Sequence, residues 1–569
     1  WRAHNWTWSD NFSWVKGNHL LQFGGSVRRN AIQFWRDDAQ SALAQRIYQL
    51  NSGQGLNIPS TYQPPICSST VTTNCLPSNR TSDWNSFYAG ALGLTERATL
   101  VATRDANFKA NPMGAPLSTD SHYNEYSIYA NDSWKMRPSL TLNLGLNWSA
   151  DVPETEVQGK LALAYYSTGQ VVIPSDYVAQ RAKSALAGTV FNPVLTWKPI
   201  NSTDRQYPYD PTWTSFGPRI ALAWNPSVSG GFLGKMFGNR KMVLRAGFAR
   251  LYDRLNGVQK VIDAQQVLGF TQTLLCLGPS TTGQCTGSAG INPLTAFRVG
   301  VDGSTVPLPS YLVDQPIPII PGYSTVPGAN QAFANASTQL APRFRPAINN
   351  SYNLTLQREL TGGTILEIGY VRRDARNLLV GMTLNQIPYM MVYGGQNFAQ
   401  AYDAVADQVR AGAATASITA QPFFEKALAG TSYCVGSPNC TAGVVAKFSS
   451  NIRNSQVFNL FNGLQSSFVF GPATAAGTQI NDFLYFTDYG KSSYHAGFVS
   501  LKMREHKGLS LNGNFSWAHS LDNGVVNQDI DAFVANSYNT RYGWGNSVFD
   551  RKFVLNLMWL YNMPFHASN

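Results

Sequence analysis

The chain has 569 residues, a formal net charge of +11 and only 13% charged side chains, about half the roughly 25% usual in globular proteins. Aromatics reach 12% while mean hydropathy is −0.18, and no apolar run approaches the roughly 18 residues of a helical membrane span, which is therefore excluded. Lys and Arg are scattered in small pairs such as Arg28–Arg29 and Arg372–Arg373 rather than gathered on one element, so nucleic acid is not an expected partner.

The sequence opens at Trp1 with WRAHNWTWSDNFSWV, which already reads as strand. No signal peptide precedes it, so the expectation is a barrel fragment whose targeting segment lies upstream. A weak strand candidate covers 5–15. "KGN" at 16–18 turns it into a clear one at 19–29. A long connection over about 38–82 holds Cys67 and Cys75, and weaker strand candidates follow at 83–94 and 97–107. The next pair, 123–135 and 139–149, is joined by "KMRPS". In the second of these, Leu140, Leu142, Leu144, Leu146 and Trp148 alternate with Thr141, Asn143, Gly145, Asn147 and Ser149. A strand with that alternation has one apolar and one small polar face.

A second long connection, about 151–211, leads to strands at 216–226 and 241–253 around a Gly-rich turn. A third, about 254–345, carries Cys276, Cys285 and the Pro-rich, extended stretch 306–327. Strands at 349–360 and 363–374 meet at "LTGG". The fourth connection, about 376–490, contains Cys434, Cys440 and an Ala-rich stretch at 401–430 that reads as one or two short helices. Strands at 494–505 and 508–520 then pair across "REHKG", and a last connection, about 521–547, precedes a strand in 549–564.

Short turns alternate with long connections, so every short turn falls at one end of the sheet and every long loop at the other. Transmembrane β-barrels have this asymmetry. The six cysteines form three local couples, all in long loops, without CxxC spacing or a nearby His couple. Local disulfides Cys67–Cys75, Cys276–Cys285 and Cys434–Cys440 follow, with the loops on an oxidising side of the membrane. Faces rich in Asn, Ser, Thr, Gly and Gln opposite the Leu faces suit a wet lumen rather than a soluble surface. Trp148 and Trp517 stand at the loop ends of their strands, and Trp134, Trp559 and Tyr561 at the turn ends. Eight residues of tilted strand climb roughly 20 Å, the separation of two aromatic girdles around a lipid band. The fold class is all-β: a transmembrane antiparallel β-barrel in the outer membrane of a Gram-negative cell. About 13 strands are countable, with long extracellular loops that contain short helices.

The phrases "FSWVKGNHLLQFGGSVRR", "YSIYANDSWKMRPSLTLNLGLNW", "FGPRIALAWNP…KMVLRAGFARLYD", "YNLTLQRELTGGTILEIGYVRR", "SSYHAGFVSLKMREHKGLSLNGNFSWAHSLDNG" and "FDRKFVLNLMWLYNMP" span about 12–564. In order and spacing they resemble the TonB-dependent outer-membrane transporters, closest to the Oar-like branch with its N-terminal carboxypeptidase-regulatory-like domain. The resemblance implies a barrel of about 22 strands, a plug and an energy-coupling box that this chain lacks, and a TonB complex that pulls on the plug. It also implies surface loops that capture a ligand, here unknown. The alternative is a passive pore or surface adhesin.

Candidate ligand contacts are the loop aromatics and amides Tyr389, Tyr393, Asn397, Phe398, Tyr538, Tyr542 and Trp544. The alternative for each is packing of loop against loop. Catalysis is not expected: the seven His are scattered, with no HExxH and no GxSxG. No cofactor is expected either. Asp522, Asn523, Asn527, Asp529 and Asp531 offer oxygens that could hold Ca²⁺, but the spacing is not that of an EF-hand, and a solvated loop is the simpler reading.

Overall fold

The computed structural model describes the chain apart from residues 1, 37–45, 50–57, 104, 108, 110, 113–114, 192, 194, 229, 258–259, 261–270, 287–293, 305, 307–338, 466, 468–482, 507, 525–532 and 564–569. The Pro-rich stretch 306–327 lies almost wholly outside the described residues. No described helix is long and apolar enough to cross a membrane.

One sheet of 14 strands dominates, three of them two-residue pieces at its rim. The eleven long ones are β1 (Arg2–Lys16), β2 (His19–Arg36), β3 (Leu117–Arg137), β4 (Leu140–Asp151), β5 (Thr212–Trp224), β6 (Met242–Tyr252), β7 (Ile348–Glu359), β8 (Thr364–Thr383), β9 (Leu484–His506), β10 (Leu509–Asp522) and β11 (Phe553–Tyr561). Each pairs antiparallel with the next in sequence. The result is an uninterrupted up-and-down meander, the topology of an outer-membrane barrel wall. Among the described residues β1 and β11 are its edges. The tightest turn places Gly17 at φ +59°, in the left-handed region that glycine enters without penalty.

The register carries the membrane argument. Trp134, Leu142, Leu222, Ala246, Leu354, Tyr370, Gly497, Trp517 and Phe553 are successive partners along one row. Trp134 sits at the short-turn end of β3 and Trp517 toward the long-loop end of β10, seven strand steps away. At about 4.8 Å per step and a strand tilt near 40°, such a row climbs roughly 20 Å, the height of an apolar band. The neighbouring row runs Asp132, Leu144, Ile220, Phe248, Tyr352, Arg372, His495, His519. It starts polar, crosses aliphatic and aromatic residues, and ends polar, as a row does that enters and leaves hydrocarbon. Leu144, Ile220 and Leu354 are 40%, 48% and 50% exposed. A continuous apolar face this open on a soluble protein would be covered.

The other face is polar. Asn131, Gly145, Arg219, Ala249, Ser351, Arg373, Tyr494 and Ser520 form one of its rows.

Two expected strands are not in this sheet. Residues 83–94 fall in helix α1 (Thr81–Leu92), with Asn85 and Ala89 buried one turn apart and Gly93 closing it at φ +67°. Trp84, Phe87, Tyr88 and Leu92 stand at i, i+3, i+4 and i+8, the helical period, and the Gly-capped end agrees with it. Residues 97–107 overlap strand Thr95–Thr103, which pairs with Arg46–Gln49 and Thr271–Leu277 in a separate three-stranded sheet. The first long loop therefore runs to residue 116, not 82. Conversely, β8 and β9 continue past the expected strand ends, through register shifts at Arg376/Leu378 and Leu378/Val380 with Asn377 at φ +57°, so the loop between them is 384–483.

Candidate functional site: a polar lumen beneath a cap of loops

The polar face presents amides and hydroxyls that bond one another across strands. The Tyr129 hydroxyl donates to Asn11 Oδ1 at 2.7 Å, with its ring packed so closely over Gly24 that no side chain fits there. Ser26 and Ser127 share a 2.9 Å bond, Arg245 donates to Gln357 at 2.9 Å, and Ser500 donates to Asn514 at 2.7 Å. Gln22, Asn131, Ser133, Asn143, Arg219 and Asn353 line one concavity of this face. Nearer the loops a second is lined by Ser26, Arg28, Glu125, Ser127, Asp151 and Arg254. Charge here is matched in pairs: Glu125 accepts from Arg254 at 2.6 Å and Arg28 at 3.4 Å. Buried Lys260 donates to Asp151 at 2.6 Å and lies 4.0 Å from the centre of the Tyr123 ring. The segment after β6 is thereby tied back onto β3 and β4. Arg219, Arg245 and Arg373 on the same face have no carboxylate within ion-pair distance among the described residues, so the wall offers a solute hydrogen bonds together with a residual positive charge.

Above the lumen residues 384–465 fold on themselves. Helix α2 (Pro174–Leu186) belongs to the loop before β5, and α3 (Phe398–Arg410), α4 (Pro422–Ala427), α5 (Cys440–Arg453) and α6 (Val457–Gln465) to the loop before β9. In α3 the buried positions Phe398, Ala401, Tyr402, Val405, Ala406 and Val409 repeat at helical spacing, making one apolar stripe. Asn397 caps it, accepting from Gln400 N while the Gln400 side chain accepts from Asn397 N. Helix α5 is capped by Asn439, which accepts from Ala442 N at 2.7 Å, and by Glu425, which accepts from Cys440 N, Thr441 N and the Thr441 hydroxyl at 3.1, 2.8 and 2.6 Å. A carboxylate there meets the positive end of the helix dipole. The Cys434–Cys440 disulfide closes the preceding turn. Phe398, Phe423, Phe424 and Phe461 pack edge to face in the core, which also takes in Ala185 of α2.

One arginine joins three loops. Arg181 on α2 is 2% exposed. It donates from Nε to the Tyr538 hydroxyl at 2.9 Å and the Gln386 carbonyl at 3.2 Å, and from a terminal nitrogen to the Phe191 carbonyl at 3.2 Å. The Tyr538 hydroxyl in turn donates to the Gln386 carbonyl at 2.7 Å. Burial raises the Tyr538 pKa and pushes Tyr177 up to about 12, so both phenols stay protonated. Below, Val380, Met382, Leu384, Phe483 and Tyr485 share an apolar core with the hairpin Ala162–Tyr166/Leu195–Pro199, which seats the cap on the ends of β8 and β9.

The structure sorts the candidate contacts. Phe398 is 1% exposed in the cap core and Asn397 caps a helix, so neither presents a free face to a ligand: an aromatic-rich loop this long must build its own core first. Tyr393 packs on the same core beside Gly188. Tyr389 accepts from Asn536 at 3.0 Å and meets Tyr538 edge to face at 5.9 Å, so these two hold the loop junction. Tyr542 is 73% exposed, and exposed Trp544 lines a cleft with Arg541. Arg181 was not singled out from sequence. The signal available was a cation on the buried stripe Tyr177, Val178, Arg181, Ala185.

The disulfides Cys67–Cys75, Cys276–Cys285 and Cys434–Cys440 are present. Trp134 stacks on His19 at 5.2 Å, Trp148 Nε1 donates to the Trp213 carbonyl at 2.7 Å, and Trp517, Trp559 and Tyr561 are exposed. Of the proposed Ca²⁺ ligands, Asn527, Asp529 and Asp531 lie outside the described residues. The Asn523 oxygen accepts from Lys491 N and Asp522 accepts from Gly524 N. Among the described residues no cluster of His, Cys, Asp or Glu could hold a metal.

A family model described as "Outer membrane beta barrel domain" matches residues 1–569. No curated protein matches the sequence. Among solved structures, the outer membrane transporter YddB from Escherichia coli aligns at 10% identity and TM-score 0.36, over 94% of this chain and 35% of its own. The ferripyoverdine receptor of Pseudomonas aeruginosa aligns at 7% and 0.32, over 99% and 36%. The siderophore receptor PiuA from Acinetobacter baumannii aligns at 7% and 0.34, over 98% and 44%. The chain thus spans less than half the length of each.

Proposed function

Because the chain belongs to the outer membrane beta barrel domain family, we propose that it is the capture-and-conduit part of an energy-coupled outer-membrane transporter of the TonB-dependent kind. The long loops face the exterior and take up a solute, the polar face lines its path, and a plug carried elsewhere in the gene product gates that path until a TonB complex pulls on it. The observation that carries the reading is a lumen wall of paired amides and hydroxyls lying under a jointly cored, disulfide-closed cap. A permanently open pore has no use for so much folded structure at its mouth. The chemistry favours a polar solute rich in hydrogen-bond donors and acceptors. Of the candidate contacts, Tyr389 and Tyr542 keep exposed surface for such a solute.

The test is the ion conductance of the full gene product in planar lipid bilayers. A plugged transporter holds the membrane silent and opens when a plug-directed pulling force or denaturant is applied. Steady conductance from the intact gene product would mean a passive pore. Silence under both treatments would mean a closed binding barrel.

A further inference from the structure

On the apolar face, immediately above the Tyr370–Trp517 row, the chemistry changes abruptly. Arg372, Arg376, Lys491, Arg541 and Trp544 line one cleft with Asp374 and Ser493. Arg372 is the partner of Tyr352 and His495 in the row that leaves the apolar band, and its guanidinium lies 5.9 Å from the centre of the Tyr352 ring. Asp374 is already engaged: it accepts from Arg372 Nε at 2.7 Å and from the Ser493 hydroxyl at 2.9 Å. Ser493 and the Tyr370 hydroxyl both bond His495, at 3.0 and 2.6 Å, so this side of the cleft is a fixed chain. Among the described residues no carboxylate lies within ion-pair distance of Arg376, Lys491 or Arg541. Three cations thus converge with, among the described residues, a single engaged anion beside them.

We propose that this cleft binds the phosphate of a phosphorylated lipid in the outer leaflet. Its placement selects that occupant. The cleft lies on the outward face, contiguous with Leu354, Ile368 and Tyr370, which are themselves exposed on the hydrocarbon side. The first polar layer a cation meets above such a band is the headgroup layer, where phosphate is the anion to be matched. Arg forks suit phosphate oxygens, Lys supplies a point charge, and the exposed Trp544 indole belongs at the same interfacial level. The inference needs only that the barrel spans the outer membrane with its long loops outside; it does not require that it transports.

The test is native mass spectrometry of the full gene product released from mixed micelles. The probes are diphosphoryl lipid A and chemically dephosphorylated lipid A. The parent protein should retain the diphosphoryl probe about tenfold better than the dephosphorylated one, as expected for two or three charge-assisted contacts. That comparison needs no variant. The triple variant Arg376→Ala, Lys491→Ala, Arg541→Ala should lose the preference while keeping heat-modifiable migration, and Arg376→Lys with Arg541→Lys should keep it. Equal retention of the two lipids by the parent overturns the proposal. So does a preference unchanged in the triple variant, or displacement of the lipid by millimolar inorganic phosphate, which would make the cleft a site for the free anion.

Discussion

Arg181 Nε stands 2.9 Å from the Tyr538 hydroxyl, across 357 positions of sequence, and the two close a junction in which neither meets bulk water freely. The guanidinium and the phenol each hold the Gln386 carbonyl as well, so the loops before β5, before β9 and before β11 share one acceptor. Replacing Tyr538 with Phe removes the hydroxyl and leaves a buried cation short of a partner, which costs about 1–3 kcal/mol. Arg181→Ala removes the hub altogether. We expect limited proteolysis to cut 384–465 and 533–547 faster in both variants, more so in Arg181→Ala, with heat-modifiable migration of the barrel unchanged. Equal cleavage rates in parent and variants would show that the cap is held elsewhere.

Leu144 and Asn143 test the two faces at one height. Leu144 lies on the apolar side between Asp132 and Ile220, and Asn143 on the polar side between Ser133 and Ala221. Leu144→Arg puts a charge into hydrocarbon at a cost of roughly 2–4 kcal/mol near mid-depth. Asn143→Ser shortens a side chain that water can replace. Folding into lipid vesicles, followed by heat-modifiable migration, should fail or slow strongly for the first and match the parent for the second. A severe defect in Asn143→Ser alone would reverse the face assignment.

The contrast between these two sites explains what could be read in advance. Leu140 through Trp148 announce themselves because lipid on one side and water on the other impose a period of two on every spanning strand, whatever lies far away in sequence. The cysteine couples were legible for a similar reason: their partners are near neighbours. Arg181 was not, since two of its partners are 205 and 357 residues distant and its place on the buried stripe of α2 is the one local mark. Phe398 misled because an aromatic in a long loop looks the same whether it serves a ligand or the loop's own core. Residues 83–94 misled because three aromatics in a short segment suggest a strand by composition, whereas their spacing at 84, 87 and 88 is helical.

The cap has its own staples, and they can be removed one at a time. Glu425→Ala strips helix α5 of a carboxylate that accepts three bonds at its first turn, a loss of about 1–2 kcal/mol. Opening Cys434–Cys440 by a paired Ser substitution frees a short loop in the unfolded cap, worth about 2 kcal/mol. Both should lower the denaturant midpoint at which Tyr402 and the other cap tyrosines change fluorescence, leaving the barrel's own transition in place. A single shared transition that shifts as one would show that cap and barrel fold as one unit.

Glu156 gives the first residues after β4 a pH dependence with a defined sign. Burial raises its carboxyl pKa above the usual carboxylate range, outweighing the bonds it accepts from Asp120 N at 2.9 Å and Lys160 N at 2.6 Å. A raised value means the folded loop holds the proton more tightly than the unfolded chain does. The group's stabilising contribution is therefore full below the ordinary carboxylate pKa and is lost as pH rises through the folded-state value. Burial lowers the pKa of neighbouring Lys160, whose ammonium donates to the Ser118 carbonyl at 2.9 Å. That contribution runs the other way, growing as pH rises through the folded-state value of the amine. Amide protection over residues 155–160, corrected for intrinsic exchange rates, should fall as pH rises above the ordinary carboxylate range. Glu156→Gln, which keeps one acceptor and cannot ionise, should flatten that fall. A variant profile that tracks the parent's would place the titrating group elsewhere in the loop.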